Sequence, residues 1–265
     1  MEIAEHIDAL ERDGALLSGA AEAAGLTAPV PPCPGWQVRD LVRHQAYVHG
    51  WAARHVREQL PELIDEADEA AILGGGPPDA ELIAAYRAGH AALVAALREA
   101  DPDVMCATFM AASSPLAFWA RRQAHETAIH RFDAQAATAA GAPSPAAAFE
   151  PAFAADGVDE LIMGFAARRR YRMRGDAECT LTVRAADTRG CWQARLRDGG
   201  TEVRRGVGEP GEPGEAGRAH CVLEGPAAGL YAFLWNRSGS DRAGITVTGD
   251  PSVLDAWGSS VRVRW

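Results

Sequence analysis

The hydrophobic spacing of this chain changes period part-way along, and that change limits the fold more than any other feature. Up to about residue 139, apolar side chains recur at three- and four-residue steps, the repeat of helices with one buried face. From about residue 179 they alternate with period two, the repeat of half-buried strands. Between them lies Gly141 to Pro151, rich in alanine and proline, which reads as a linker. The expected fold is therefore α+β in two domains, a four-helix bundle over residues 1–145 and a smaller α+β domain over 152–265. With 265 residues, 48% of them hydrophobic, the chain can fill two cores.

Within the first domain, Ile3, Ile7, Leu10, Leu17 and Ala21 mark a helix ending at Gly25. Trp36, Leu41, Val48 and Trp51 mark a second, reaching about Glu58. A third carries Leu82, Ile83, Tyr86, Leu93 and Leu97, with Asp79 as its expected N-cap. The fourth runs from Pro115, which suits a first helical turn, to about Ala139. The second domain should open with a helix over Val158–Tyr171. Strands are expected at Cys179–Val183, Trp192–Leu196, Ala219–Leu223 and Ile245–Thr248, with helices over Gly225–Trp235 and after Pro251. Gly206 to Gly217 reads as a surface loop.

A formal net charge of -10 disfavours a nucleic-acid footprint, which needs clustered cations facing phosphates. The densest basic run, Arg168 to Arg170 with Arg172 and Arg174, reads as a solvated helix end. All 26 cationic residues are arginine, as a GC-rich genome would produce. The start, Met1-Glu2-Ile3-Ala4-Glu5-His6, lacks the basic and apolar regions of a signal peptide, and no later stretch looks long enough to span a bilayer. A cytoplasmic protein without membrane partners is expected. Cys33, Cys106, Cys179, Cys191 and Cys221 are odd in number and scattered, so they are expected to be reduced.

Metal-capable side chains occupy positions where helical periodicity calls for core. His44 shares a stripe with Leu41, Val48, Trp51 and His55. A single inward histidine is ordinarily a hydrogen-bonded core residue, but the run His125-Glu126-Thr127-Ala128-Ile129-His130 changes that weighting. Successive helical residues rotate by about 100°, so Glu126 and His130 differ by only about 40° and can share one cation. His125 and His130 differ by about 140° and cannot, so this is not the HExxH zinc-protease pattern. His125 instead shares a stripe with Phe118, Ile129 and Phe132, where a packing role fits.

Burying Glu126 costs several kcal/mol unless an opposite charge offsets it, roughly as for any desolvated ion. The two remedies are a cation, or an arginine one turn away, Arg121 or Arg122. His44 favours the cation, because three ligands from two bundle helices with an open fourth position form a catalytic zinc layout. Asp40 and Asp133, each one turn from a candidate ligand, could each orient an imidazole or simply face solvent. In metal-free protein, removing an uncompensated Glu126 carboxylate should raise the melting temperature.

The segment Pro32-Cys33-Pro34-Gly35-Trp36-Gln37-Val38-Arg39-Asp40-Leu41-Val42-Arg43-His44 resembles the entry to helix two in mycothiol-dependent maleylpyruvate isomerase-like proteins. Phe118 to Ala134 is similar to the metal-bearing fourth helix of that family. Leu230 to Arg237 and Val247 to Pro251 resemble its sterol-carrier-like C-terminal domain. The resemblance implies a DinB-like bundle with His44, Glu126 and His130 as ligands of zinc or another divalent metal, and mycothiol as thiol cosubstrate. It also implies a catalytic arginine in the C-terminal domain, for which Arg237 fits, although Asn236 stands where a glycine is common. A small electrophile would be the substrate, by cis–trans isomerisation or by thiol S-transfer, and DinB-like bundles make a homodimer the analogy. A metal-free module binding a small molecule or lipid, with the bundle as scaffold, is the competing class.

Overall fold

The computed structural model describes residues 1–64, 69–168, 178–197, 199–206 and 219–261, in two compact units, Met1–Pro143 and Ser144–Trp265. The basic run from Arg169 onward and the loop over 207–217 lie outside the described residues.

Four long helices build the first unit: α1 (Ile3–Ala24), α2 (Val38–Arg57), α4 (Asp79–Glu99) and α5 (Pro115–Ala136). A short α3 (Glu69–Gly74), which periodicity does not announce, precedes α4. Local chemistry sets the helix ends. Gly25 takes φ +80, and its N–H donates to Ala21 O at 3.0 Å, closing α1. At the start of α5, Ser114 Oγ accepts from Ala117 N at 3.1 Å, with Pro115 in the first turn.

Asp79 does not cap α4. Pro78 occupies the N-cap position, and the Asp79 carboxylate accepts instead from Arg39 at 2.9 Å and Arg43 at 2.7 Å, tying α4 to α2. The α4 helix also corrects the membrane reading. At 21 residues it is long and apolar enough to cross a bilayer by length and composition. Alanine content produces that signal, yet the helix packs on α1 and α2, and Arg87 and Arg98 reach Glu22 and Glu11 of α1, each at 2.7 Å.

Within the first unit the most enclosed helix is α5. Of its 22 residues 17 are buried, and they lie on every side of the helix. Leu10, Leu17, Leu41, Tyr86, Trp119 and Phe132 supply much of the apolar core around it.

The second unit holds a five-stranded sheet in the order β3-β2-β1-β4-β5, formed by β1 (Cys179–Ala185), β2 (Cys191–Arg197), β3 (Gly200–Arg205), β4 (Ala219–Gly225) and β5 (Thr246–Gly249). Strands β1 and β4 run parallel and the other neighbours antiparallel, with Leu181 opposite Ala194 on one side and Cys221 on the other. Alternation places Leu181, Val183, Ala194, Leu196 and Leu223 in the core.

The stretch read as a linker carries α6 (Pro145–Ala148), and the first long helix begins earlier than expected. It runs as α7 (Pro151–Asp159) and continues as a π-helix over Glu160–Ala166. The unit is completed by α8 (Ala227–Leu234), which packs on α7, then α9 (Ser240–Ala243) and α10 (Ser252–Ser260). None of the five cysteines is disulfide-bonded among the described residues.

Candidate metal centre

Helices α2 and α5 bring His44, Glu126 and His130 together inside the bundle. Each is at most 3% exposed, and their donor atoms all lie within 4.8 Å of one another. Glu126 Oε1 sits 3.2 Å from Nε2 of His44 and 3.2 Å from Nε2 of His130. Ligand bonds of 2.0–2.2 Å in a tetrahedral site put neighbouring donors about 3.4 Å apart, so this triad needs little movement to close on a zinc-sized cation. Two imidazoles and one carboxylate are a donor set of catalytic zinc sites.

The surrounding groups decide which face of each ligand is available. Arg122, fully buried, donates to Glu126 Oε2 at 3.1 Å, which leaves Oε1 to the histidines. Of the two remedies weighed for the buried carboxylate, the arginine is present, on Oε2, while Oε1 faces the two histidines. This corrects the stability expectation: Glu126 is compensated without a metal, so its removal takes a charge partner from the buried Arg122 guanidinium and should lower the melting temperature.

On His130, Nδ1 lies 3.0 Å from Asp133 Oδ2, so the carboxylate orients the ring and Nε2 faces the triad. Asp40 does not play the matching part for His44; its Oδ2 accepts from Gln37 N at 2.8 Å, closing the capping box of α2.

Titration follows this geometry. Burial raises the Glu126 pKa, but hydrogen bonds from His130 and His44 and the Arg122 charge outweigh it, leaving the carboxyl well below the usual range. For His130 burial acts downward, and hydrogen bonds to Asp133 and Glu126 reverse it, placing the imidazole above the ordinary histidine range.

Two further histidines on α2 have different roles. Ile64 N donates to His55 Nε2 at 3.2 Å while Nδ1 faces Trp51 O at 2.8 Å, so His55 is a satisfied core residue. His49 sits 2.9 Å from Thr127 Oγ1, and burial followed by the His90 charge pushes its pKa down to about 3. His125, also buried, meets the His6 ring at 6.0 Å. Periodicity reads Trp36 as a residue of the second helix, but α2 begins at Val38, and the Trp36 indole lies 5.2 Å from the His44 ring and stacks on His130 at 6.2 Å.

Two family models match the chain in tandem: the mycothiol maleylpyruvate isomerase N-terminal domain over residues 7–135 and the MDMPI C-terminal domain over residues 152–256. The chain belongs to the mycothiol maleylpyruvate isomerase family. Among solved structures, crystal structures of the mycothiol-dependent maleylpyruvate isomerase and of a variant with one histidine changed to alanine share its fold. Their TM-scores are 0.61 and 0.62 at 15% identity, covering 100% of this chain and 95% of theirs. No curated protein matches. The N-terminal match contains the whole His44, Glu126 and His130 cluster.

Arg237 belongs to the C-terminal match and to the second unit. It follows α8 immediately: Asn236 takes φ +61 and Arg237 N donates back to Ala232 O at 2.7 Å, a left-handed helix stop. That conformation explains why glycine suits position 236, and asparagine is the side chain that best tolerates it otherwise. The Arg237 guanidinium donates to Trp235 O at 2.8 Å and lines a cavity of about 450 Å³ with Phe233, Leu254 and Trp257.

Proposed function

We propose that this chain is a mycothiol-dependent isomerase of a small electrophilic alkene, with a divalent metal held by His44, Glu126 and His130. The observation that supports it best is the single oxygen, Glu126 Oε1, placed 3.2 Å from both histidine Nε2 atoms within a family named for thiol-dependent isomerisation. Bound zinc would lower the pKa of a coordinated thiol and so present a thiolate at neutral pH.

The chain's own residues prepare that step. Asp133 fixes the His130 ring, Arg122 holds Glu126 by its far oxygen, and Trp36 stacks on His130 and meets the His44 ring at a tilt. The thiolate adds to one alkene carbon and the electron pair moves into the substrate's conjugated carbonyl. Rotation follows about the resulting single bond, and elimination then restores the double bond and releases the same thiolate. Taking up a proton from solvent at the enolate and keeping the C–S bond would instead give S-transfer, which shares the first step.

Arg237 is the residue we assign to the substrate's carboxylate or oxyanion, through charge-assisted hydrogen bonds. A cytoplasmic location fits a reaction that needs a reduced thiol.

Calorimetry of zinc-loaded protein with mycothiol, or with cysteinyl-glucosamine-inositol analogues, tests the reading, followed by turnover of maleylpyruvate-type alkenes. Binding of the thiol only when zinc is loaded is the expected outcome. Protein that carries no metal and ignores the thiol would favour the metal-free binding module.

A further inference from the structure

The turn leading into α2 reaches the metal centre from behind. Its backbone is stapled on itself: Cys33 N donates to Val30 O at 2.9 Å, Trp36 N to Cys33 O at 3.0 Å, and Val30 N to Trp36 O at 3.0 Å. Gly35 takes φ +91 within it, a conformation that other side chains rarely adopt. This closed turn aims two side chains at the site. Trp36 lies over the imidazoles, and half-buried Cys33 places Sγ 3.4 Å from Asp133 Oδ2. The same oxygen lies 3.0 Å from His130 Nδ1. Two donors, a thiol and an imidazole N–H, thus converge on one carboxylate oxygen, and Asp133 is fully buried.

We propose that Cys33 is a positioning residue for the metal centre. Its S–H fixes the Asp133 carboxylate, which in turn holds His130 with the proton on Nδ1 and the Nε2 lone pair toward Glu126 and the cation. A donor from a separate loop adds to the hold of the His130 N–H on that oxygen and so resists rotation of the carboxylate about its χ2 torsion. The inference rests on the metal reading of His44, Glu126 and His130.

A rival role for the thiol is direct ligation, because Cys33, His130 and Asp133 also bring donor atoms within 4.8 Å of one another. That arrangement would use the opposite nitrogen of His130, so a second equivalent of metal would accompany it.

The test measures zinc affinity and stoichiometry by competition with a chromophoric chelator for Cys33→Ser, Cys33→Ala, Cys33→Val and Asp133→Asn. The His130 Nδ1–H resonance in zinc-loaded protein is followed in parallel. Outer-shell partners of metal ligands change affinity about 10- to 100-fold when removed. Asp133→Asn should fall in that range, Cys33→Ala and Cys33→Val at its lower end, and Cys33→Ser, which keeps a donor, close to the parent. Adding Cys33→Ala to Asp133→Asn should weaken binding no further, because the thiol acts through that carboxylate. If Cys33→Ala fails to fold, Cys33→Val, closer in volume to the parent, carries the comparison.

Parent-like affinity in both apolar variants would overturn the proposal. So would equal losses in Cys33→Ser and Cys33→Ala, additive losses on the Asp133→Asn background, or two zinc equivalents in the parent that fall to one without the thiol. Failure of the parent to bind zinc would remove the metal reading itself, a distinguishable result.

Discussion

In the bundle, α5 carries Arg122, Glu126, His130, Arg131 and Asp133 through a core that hides all five, whereas the sheet unit buries mainly Leu181, Val183, Leu196 and Leu223. Its buried acids among the described residues are Asp159 and Glu160, and Asp159 is reached from the rim by Arg205, itself 60% exposed, and by Trp192 Nε1 at 2.9 Å. In the bundle both partners are inside: Arg131 Nε meets Asp13 Oδ1 at 3.1 Å, and Arg122 meets Glu126 at 3.1 Å. Replacing such pairs by apolar residues is often neutral or stabilising, so stability alone gives little reason to keep them. The contrast teaches that the bundle spends buried positions on charged pairs and imidazoles, whereas the sheet core is filled mainly by apolar side chains.

The largest effect expected from this contrast is loss of the metal. Alanine at His44, Glu126 or His130 should abolish tight zinc binding, read as bound zinc after dialysis. His125→Ala should keep the metal and lose about 2 kcal/mol or more through its cavity. Full zinc occupancy in Glu126→Ala with its loss in His125→Ala would exchange the two assignments.

Next in size is the charge pair itself. In chelator-treated protein, Glu126→Ala and Arg122→Met should each cost up to about 3–5 kcal/mol in denaturant unfolding, because each removes one partner of a buried charge. The double variant Arg122→Met with Glu126→Leu should recover most of that loss. A higher melting temperature for Glu126→Ala would mean that Arg122 does not compensate the carboxylate.

In the second unit the effect should fall on rate and not on stability. Arg237→Ala is expected to lower turnover by about 10²- to 10³-fold, the range for losing one donor to a developing oxyanion. Its unfolding free energy should stay within about 0.5 kcal/mol of the parent. Unchanged kinetics on an identified substrate would return Arg237 to the role of a helix-end cation.

The smallest effect is a pH slope in the metal-free bundle. His49 is pressed down to about 3, by burial first and then by His90, while an unfolded histidine titrates near 6.5. Below 6.5 the unfolded chain therefore binds a proton that the folded one refuses. The contribution is complete above pH 6.5 and is lost as pH falls toward 3, by about 1.4 kcal/mol per unit. His49→Gln should flatten that slope between pH 6.5 and 5 in urea titrations. Equal slopes in parent and variant would place the acid sensitivity elsewhere.

The sequence by itself determined whatever depends on angles within one helix or on chain punctuation. The four long helices lie where three- and four-residue spacing puts them, Gly25 stops α1, and Pro115 opens α5. The i, i+4 relation of Glu126 and His130, and the separate facing of His125, follow from rotation per residue alone. Strand β3 went unread because it is half-exposed along its length and loses the alternation that marks a buried face. The π-helical continuation of α7 also has no periodic signature.

Only the tertiary structure could decide between partners that spacing treats alike. Arg122 and Arg121 are neighbours, yet the fold buries Arg122 against Glu126 and leaves Arg121 half-buried. Asp133 and Asp40 each lie near a candidate ligand, yet one orients His130 and the other closes a capping box. Cys33 meets Asp133 across 100 residues, and His44 meets Glu126 across 82. Helical spacing sets which face a side chain occupies, but the distance across two helices is fixed by how their side chains interlock, and no local pattern records that.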